Sequence, residues 1–276
     1  MPKAKTVVIV ADTHVGHKVG MMPVNFRASS GATAPLNQGQ EYLLEHYKDV
    51  LAALPRRIDV LLLNGDICEG QNLSETARAL TEVDPTYQVR AAEELLAPLA
   101  KRARRVYATT GSKYHTGRGG RLDREVAERL GATRCGMAND FANPWILFRV
   151  GNQVISAHHH QSATTRYRSM PVEREIGFAL EYCARTGQSM PTVFVASHVH
   201  WGFGMWRESG VVSVSTPAMK LQDDFAANGK VPWRWRPHEL GFVLLRIFEE
   251  PVYGFRVHAE PLVCQHPLLG IEEEPE

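Results

Sequence analysis

The segment VVIVADTH, residues 7–14, decides the fold of this chain. Its first five residues form an uninterrupted apolar run, which is typical of a strand buried on both faces of a sheet. Asp12 and His14 follow directly, and residues two apart in an extended chain point to the same side. A carboxylate and an imidazole can therefore meet one ion beyond the carboxyl end of this strand, where open α/β sheets place their sites.

The same succession of a buried strand and a polar end recurs through the first half of the chain. Residues 58–63 form a second apolar strand that runs into Asn64, Gly65 and Asp66, and a third strand over 106–109 ends at Gly111. Helical patterns over 41–54, 85–103 and 122–130 separate these segments, and residues 17–40 are expected to form a long loop. Strands that alternate with helices predict an α/β sheet.

After Pro144 the pattern changes to short strands. WILFRV and QVISAH, residues 145–150 and 153–158, flank a Gly-Asn turn and predict a β-hairpin. A helix is expected over 172–185, and further strands over 192–196, 204–207, 211–215, 241–248 and 252–258. We expect the second half to form a mostly antiparallel sheet packed on the first. Both halves would make a single domain over residues 1–265, followed by an acidic tail over 266–276.

Histidines gather at the ends of the predicted strands. His115 follows the third strand, a run of three histidines over 158–160 ends the hairpin, and His198 and His200 follow the strand over 192–196. Mixed aspartate and histidine ligands suit manganese, iron or zinc. One tetrahedral ion needs four ligands. The D-x-H and H-x-H pairs and the other aspartate and histidine candidates exceed this number, so we expect two ions.

The order of these motifs resembles that of the calcineurin-like metallophosphoesterase superfamily. The motifs are D-x-H at Asp12 and His14, G-D at Asp66, G-x-x-x-H at His115, a histidine at His158, and H-x-H at His198 and His200. The resemblance implies an α/β fold that is a four-layer α/β/β/α sandwich with a dinuclear metal centre. It also implies hydrolysis of a phosphate ester, with a metal-bridging hydroxide as the nucleophile.

The resemblance also implies how the ligands are shared between the ions. Asp12, His14 and His200 would hold one ion, and Asp66 would bridge both. His158 and His198 would hold the second ion, with His160 as the main rival of His158, since His159 would point to the opposite face if the strand continues. Manganese is the expected metal, with iron and zinc as alternatives.

The third motif departs from the family pattern, which is usually G-N-H followed by an acid. Here the chain reads GSKYHT over 111–116, so Ser112 stands where the metal-binding asparagine would be. A serine hydroxyl is a poorer ligand than an amide oxygen. Either Ser112 or a water completes the second metal site, or His115 itself becomes a ligand. We favour His115 as the general acid or as a phosphate-orienting group.

Basic residues near this motif point to a polyanionic substrate. Arg118 and Arg121 follow the motif directly, and His17 opens the long loop at the same edge. Two further groups could extend a positive rim around the site. One consists of Arg166 and Arg168. The other contains Lys230, Trp233, Arg234, Trp235 and Arg236, and its tryptophan rings could stack on bases. We expect a phosphodiester substrate, with a nucleotide or a nucleic acid as the candidates.

Composition narrows the class of protein. The 31 basic and 30 acidic residues leave a net charge of +1, which by itself demands neither a nucleic acid nor a membrane surface as partner. The four cysteines form no C-x-x-C pair, which argues against a disulfide framework or a zinc ribbon. No apolar run reaches the ~18 residues that span a bilayer. No signal-peptide pattern opens the chain, so we expect a cytoplasmic protein without a membrane partner.

Two other functions are compatible with these residues. The first is a nucleic-acid-binding module whose metal site is degenerate or structural, and the altered third motif is its main support. The second is a dinuclear hydrolase that cleaves amide or carboxylic ester bonds. The combined presence of Asp12, His14, Asp66, His198 and His200 favours the phosphoesterase over the binding module.

Overall fold

In the computed structural model, which describes residues 3–71, 79–160, 170–206, 210–222 and 239–264, ten strands form two five-stranded sheets. In chain order the strands are β1 (Ala4–Val10), β2 (Ile58–Asn64), β3 (Ala103–Thr109), β4 (Trp145–Val150), β5 (Gln153–His158), β6 (Val193–Ala196), β7 (Phe203–Trp206), β8 (Val212–Ser215), β9 (Leu240–Val252) and β10 (Phe255–Cys264). The helices are α1 (Gln38–Ala53), α2 (Pro85–Ala100), α3 (Lys113–Thr116), α4 (Arg121–Arg129) and α5 (Met170–Thr186).

The first sheet has the strand order β10-β9-β1-β2-β3. Strand β1 lies at its centre, parallel to β2 and antiparallel to β9, and β3 continues the parallel part. The carboxyl ends of β1, β2 and β3 therefore meet at one edge of the sheet. This edge carries the polar residues that follow each strand.

The second sheet has the order β4-β5-β6-β8-β7 and is mixed. Strands β5, β6 and β8 run parallel to one another, whereas β4 and β7 are antiparallel to their neighbours. The expectation of a mostly antiparallel second sheet is therefore wrong. The parallel pairs bring the carboxyl ends of β5 and β6 to the same edge.

Strands β9 and β10 belong to the first sheet rather than the second, which is a further correction. The reason lies in the two faces of β9. Val243 and Leu245 are buried between the sheets, while Phe242 and Leu244 are buried on the helix side. A strand that is apolar on both faces is stable inside a covered sheet, and β9 finds this position beside β1.

Three apolar clusters separate four layers. One lies between the first sheet and helices α1, α2 and α4, and another fills the space between the two sheets. On the far side, Ile176 of α5 packs against Phe194 of β6 and Val211. The order helix, sheet, sheet, helix confirms the predicted four-layer α/β/β/α sandwich.

The two helices on the first sheet begin at clear sequence signals. Asn37 caps α1 in a reciprocal capping box with Gln40, and Asp84 caps α2 through the amide of Thr86, with Pro85 in the first turn. The buried Glu82, which lies just before α2, accepts hydrogen bonds from the amide and the hydroxyl of Ser29 in the long loop that precedes α1. Among the helices of the described residues, none is both long and apolar enough to cross a membrane.

Replacement of Phe242 by alanine should lower the free energy of unfolding by about 3–5 kcal/mol, because the ring is completely buried and packs edge-on against Tyr47. Denaturant unfolding measures this change. Phe178→Ala is the matched control, since that ring is 65% exposed and its loss should cost less than about 0.5 kcal/mol. Equal losses in the two variants would contradict the assignment of the core.

Candidate metal centre

The strand ends of both sheets meet at one place. Asp12 follows β1 and Asp66 follows β2 in the first sheet, and His159 follows β5 in the second. His198 and His200 follow β6. With His14, which follows Asp12, they form two clusters, and a further cluster combines His14 with Glu69 and His115. The potential ligand atoms within each cluster lie within 4.8 Å of one another.

The first cluster consists of Asp12, His14 and His200. Nε2 of His200 lies 3.1 Å from Oδ1 of Asp12 and 3.3 Å from Nε2 of His14. Nε2 of His14 is 3.9 Å from the same aspartate oxygen. Three donor atoms thus converge on one point, and they belong to the three residues that the family resemblance assigns to a common ion.

The second cluster consists of Asp66, His159 and His198. Oδ2 of Asp66 lies 3.0 Å from Nε2 of His159 and 4.0 Å from Nδ1 of His198. Nε2 of His159 is also 3.9 Å from Oδ1 of Asp12, which places this aspartate oxygen next to both clusters. The bridging role expected of Asp66 is therefore open to Asp12 as well.

The structure brings His159, instead of the predicted His158, into the second cluster. Ile155 and Ala157 of β5 face the apolar space between the sheets, and His159 continues their side of the strand. His158 points the other way, and its Nε2 lies 3.1 Å from Oε2 of Glu175 on α5. The rival candidate, His160, has its ring centroid 4.6 Å from that of His198 in a tilted arrangement and is not part of the cluster.

The donor set fits divalent ions. Oδ1 of Asp12 and Nε2 of His159 are buried, and among the described residues neither has a hydrogen-bond partner of acceptable geometry. Buried polar atoms are rarely left this way unless an ion, a water or a ligand completes them. Two carboxylates and four imidazoles are the ligand types that manganese, iron and zinc accept.

Hydrogen bonds on the outer ring nitrogens fix the tautomers that such ligands need. Nδ1 of His14 donates to Oε2 of Glu69 at 2.7 Å, and Nδ1 of His159 donates to the carbonyl oxygen of Asn64 at 2.7 Å. Each Nε2 is left as the lone-pair donor toward its cluster. This arrangement of a ligand held by a second partner is common at metal sites.

The backbone of the ligand loops is strained. Five residues of the two clusters adopt positive φ angles between 45° and 77°, namely Asp12, His14, Asp66, His198 and His200. Residues other than glycine avoid this left-handed region, and each such conformation costs on the order of 1–3 kcal/mol. The surrounding fold therefore holds these residues against their local preference.

Close approach of the loops after β2 and β3 depends on glycine. A Cβ at Gly111 would lie 2.1 Å from Oδ1 of Asp66. Asp123 of α4 holds both loops, because its carboxylate accepts the amide of Gly111 at 2.7 Å and that of Ile67 at 3.2 Å. Any side chain at Gly111 would displace the Asp66 carboxylate.

Ser112 orients Asp66. Its amide donates to Oδ1 of Asp66 at 2.8 Å, and its hydroxyl lies 3.3 Å from the same oxygen. The inserted residues of the third motif form the single helical turn α3, which begins directly after Ser112. The structure thus gives Ser112 a direct contact with a ligand candidate, and its role in completing the second metal site stays a prediction.

A buried carboxylate that sequence analysis missed lies behind the first cluster. Glu69 is completely buried, and besides His14 it contacts His115, whose Nδ1 is 3.1 Å from Oε1. The ammonium of the buried Lys220 lies 3.7 Å from Oε2. A signal for Glu69 was available, since it is an acid three residues after Asp66 in an otherwise apolar segment. Lys220 gave no signal.

Charges around Glu69 set the protonation states. Burial alone would raise the pKa of Glu69, but His14, His115 and Lys220 hold it well below its ordinary value. Burial would lower the pKa of His115, yet its hydrogen bond to Glu69 and the charge of Asp66 raise that pKa to about 9. Burial and the charge of Lys220 lower the pKa of His14 to about 3. At neutral pH, His115 is therefore protonated and His14 is a neutral ligand.

The pKa values of the cluster residues show that the aspartates interact with positive charge. Burial would raise the pKa of Asp12, but His159 and His200 lower it to about 2. Burial would likewise lower the pKa of His159, but Asp66 and Asp12 raise it to about 10. Without an ion, the protonated imidazole of His159 supplies the charge that a metal cation would bring.

The predicted substrate residues have different surroundings. His17 is buried, and its Nδ1 accepts the amide of Val19 at 3.1 Å, so these contacts do not support the predicted role in substrate binding. Arg118 and Arg121 are both exposed, and Arg121 pairs with Glu125 at 3.0 Å. The further basic candidates Arg166, Arg168, Lys230, Trp233, Arg234, Trp235 and Arg236, and the acidic tail over 266–276, lie outside the described residues.

The two-sheet sandwich, with its aspartates and histidines at the strand ends, agrees with the fold that the resemblance of the sequence motifs implies. No protein-family model matches the chain, and no curated protein matches it either. Among solved structures, it is similar to a single mutant of Vps29 from Entamoeba histolytica, with 16% identity over 94% of this chain and 99% of that chain and a TM-score of 0.42.

Two other solved structures illustrate the range of similar proteins. One is a novel archaeal phosphodiesterase, with 8% identity over 93% of this chain and 99% of that chain and a TM-score of 0.41. The other is a predicted phosphoesterase from Streptococcus pneumoniae TIGR4, with 11% identity over 95% and 99% of the two chains and a TM-score of 0.37.

His159→Ala should weaken the binding of one of two ions by more than about 100-fold, because loss of a partner behind a ligand already costs about 10- to 100-fold. His158→Ala should leave the affinity close to that of the unaltered protein. Calorimetric titration of chelator-treated protein with Mn²⁺ measures both variants. The reverse order of effects would restore His158 as the ligand.

Removal of His115 should change stability in a pH-dependent way. Its raised pKa means that the folded, metal-free protein binds the proton more tightly than the unfolded chain. The stabilisation is complete below pH about 6.5 and is lost as the pH rises through about 9. The loss in unfolding free energy caused by His115→Ala should therefore be larger at pH 6 than at pH 10.

Denaturant titrations of metal-free protein at the two pH values test this. Glu69→Gln provides the control background, because it removes the charge that raises the pKa of His115 and should abolish most of the pH dependence. A pH-independent effect of His115→Ala in the unaltered background would show that the ion pair does not form.

Proposed function

We propose that this protein is a dinuclear metal-dependent phosphoesterase that acts on phosphodiesters. The observation that carries the proposal is the pair of ligand clusters, which approach within 3.9 Å of each other between Asp12 and His159 and have the protonated His115 beside them. Such a set offers sites for two cations and a proton donor within one edge of the fold.

The residues of each cluster would hold one ion. Asp12, His14 and His200 would bind the first, and Asp66, His159 and His198 the second. When bound, two divalent ions, with manganese expected and iron or zinc as alternatives, would neutralise phosphate oxygens and lower the pKa of the attacking water. Ser112 and Asn64 would keep Asp66 and His159 in the orientation for binding.

His115 would deliver the proton to the leaving group. Its Nδ1 donates to Glu69, so Nε2 is the ring nitrogen that can reach the oxygen of a leaving alkoxide. Glu69 holds the ring and keeps it protonated at neutral pH. The Glu69 carboxylate also orients His14. Glu69 therefore connects the proton donor, His115, to the first cluster.

Basic residues support a diester of a nucleotide or a nucleic acid as the substrate. Lys113 and Arg118 are exposed on either side of His115 in the third motif. Their charges would favour a substrate with more than one phosphate group. This part of the proposal concerns specificity and does not affect the assignment of the hydrolytic groups.

A nucleic-acid-binding module with a structural metal site is the second candidate function. The observation that favours it is the serine at position 112, which the structure engages with Asp66. A binding module, however, has no use for a buried Glu69 that holds a protonated histidine beside the clusters. Hydrolysis therefore accounts for more of the site.

The proposal is tested with chelator-treated protein and added Mn²⁺, using bis(4-nitrophenyl) phosphate beside 4-nitrophenyl phosphate. We expect metal-dependent turnover that favours the diester. Faster turnover of the monoester would redirect the substrate assignment to phosphatases. Bound metal without turnover of either ester, together with salt-dependent DNA binding, would favour the binding module.

His115→Ala should retain both ions and slow diesters with poor leaving groups about 10²- to 10⁴-fold, the contribution of a positioned general acid. Diesters with 4-nitrophenolate leaving groups should be slowed much less, because this anion needs no proton. Steady-state rates over a series of leaving groups measure the difference. Equal slowing across the series would refute the role of His115 as the acid.

A further inference from the structure

Both clusters combine ligands from the two sheets. The first has Asp12 and His14 from the first sheet and only His200 from the second. The second cluster has Asp66 from the first sheet and both of its histidines from the second. The geometry of the second cluster thus depends more strongly on how the two sheets are held together at this edge.

Asn64 connects the sheets at this edge. It is the last residue of β2, two positions before Asp66, and it is completely buried. Its side-chain amide donates to the carbonyl oxygen of His158 at 2.9 Å and to the hydroxyl of Ser197 at 2.6 Å. These acceptors directly precede His159 and His198, the two histidines of the second cluster.

The backbone of Asn64 makes a third connection to the same cluster. Its carbonyl oxygen accepts the Nδ1 proton of His159 at 2.7 Å. One residue therefore bonds to the backbone before His159, to the side chain before His198 and to the ring of His159. A further side-chain bond stays within the first sheet. The hydroxyl of Thr109, on the neighbouring strand β3, donates to Oδ1 of Asn64 at 2.9 Å.

His200, the one residue of the first cluster that comes from the second sheet, is held by Glu239. The amide of Glu239 donates to the carbonyl oxygen of His200 at 2.9 Å, and its carboxylate accepts the amide of Gly202 at 2.6 Å. Asp12 and His14 follow β1 in the first sheet, and Oδ2 of Asp12 accepts the amide of His198 from the second sheet at 3.1 Å without involving Asn64. The first cluster is thus less dependent on Asn64 than the second.

We propose that Asn64 is a positioning residue that assembles the second metal site by joining its two histidines to the strand that carries Asp66. The proposal rests on the function proposed above only in taking Asp66, His159 and His198 as metal ligands. Loss of the Asn64 amide should weaken the second ion and largely spare the first. A fully bonded buried network of this kind fixes geometry more than it adds stability.

The test is a two-site calorimetric titration with Mn²⁺ of the chelator-treated full chain. Asn64→Leu removes the amide without adding charge and should weaken the second site about 10- to 100-fold, as other changes behind metal ligands do. The first site should change little. Ser197→Ala, which removes one of the two side-chain bonds and disturbs packing less, should shift the second site in the same direction by a smaller factor.

Thr109→Val is the matched control. It removes the bond within the first sheet but keeps both bonds to the second, so both affinities should stay close to those of the unaltered protein. Thermal unfolding of each metal-free variant is recorded in parallel, and the titrations are done well below the lowest midpoint.

Selective weakening of the second site by Asn64→Leu and Ser197→Ala, but not by Thr109→Val, supports the proposal. Lower thermal midpoints with unchanged affinities, or equal weakening of both sites, would reduce Asn64 to a structural role and overturn it. An unaltered protein that binds fewer than two ions overturns the second site and this proposal with it. Two bound ions without phosphoester hydrolysis would overturn the proposed function alone.

Discussion

The packing of two sheets through their inner apolar faces is the constraint on which the whole site depends. Val7 and Ile9 of β1 and Leu62 of β2 share one buried cluster with Ile155 and Val195 of the second sheet. This contact sets the distance between strand ends that carry aspartates on one side and histidines on the other. A shift of either sheet would separate the donors of both clusters, because each cluster takes ligands from both sheets.

Burial and neighbouring charges then give chemically identical histidine side chains different protonation states. Four histidines near the centre have neighbours of different charge, and their pKa values diverge accordingly. His14 and His198 are held neutral, mainly by burial, whereas His115 and His159 are held protonated by carboxylates in the ion-free protein. The difference between His115 and His159 is their partner. His159 faces two cluster aspartates that a cation would satisfy, but His115 faces Glu69, which lies behind the cluster and remains its partner.

Much of this architecture was predictable from local sequence patterns. The run over residues 7–11 and the D-x-H and H-x-H spacings place Asp12, His14, His198 and His200 directly after buried strands. The alternation of an extended chain does not set the direction of their side chains, because all four residues have positive φ angles. The choice among three consecutive histidines was harder. It depends on which face of β5 meets the other sheet, and the inward Ile155 and Ala157 were the signal that identifies His159.

Other features were beyond local patterns. The place of β9 beside β1 results from pairing between distant segments, and its apolar pattern fits either sheet equally well. Glu69 and Lys220 are charged residues that sequence alone assigns to the surface, and only tertiary contacts bury them together behind His14. The burial of His17 was also not predictable, since a polar residue in a long loop is normally expected at the surface.

The left-handed backbone at Asp12, His14, Asp66, His198 and His200 has a consequence for how such a centre can arise. A short peptide with the same residues would relax into ordinary conformations, and its side chains would diverge. The binding motifs are therefore not portable units. Their geometry is a property of the assembled sandwich, whose buried sheets supply the free energy that keeps five unfavourable residues in place. Grafting D-T-H or H-V-H alone onto another scaffold would transfer these residues but not the geometry of the site.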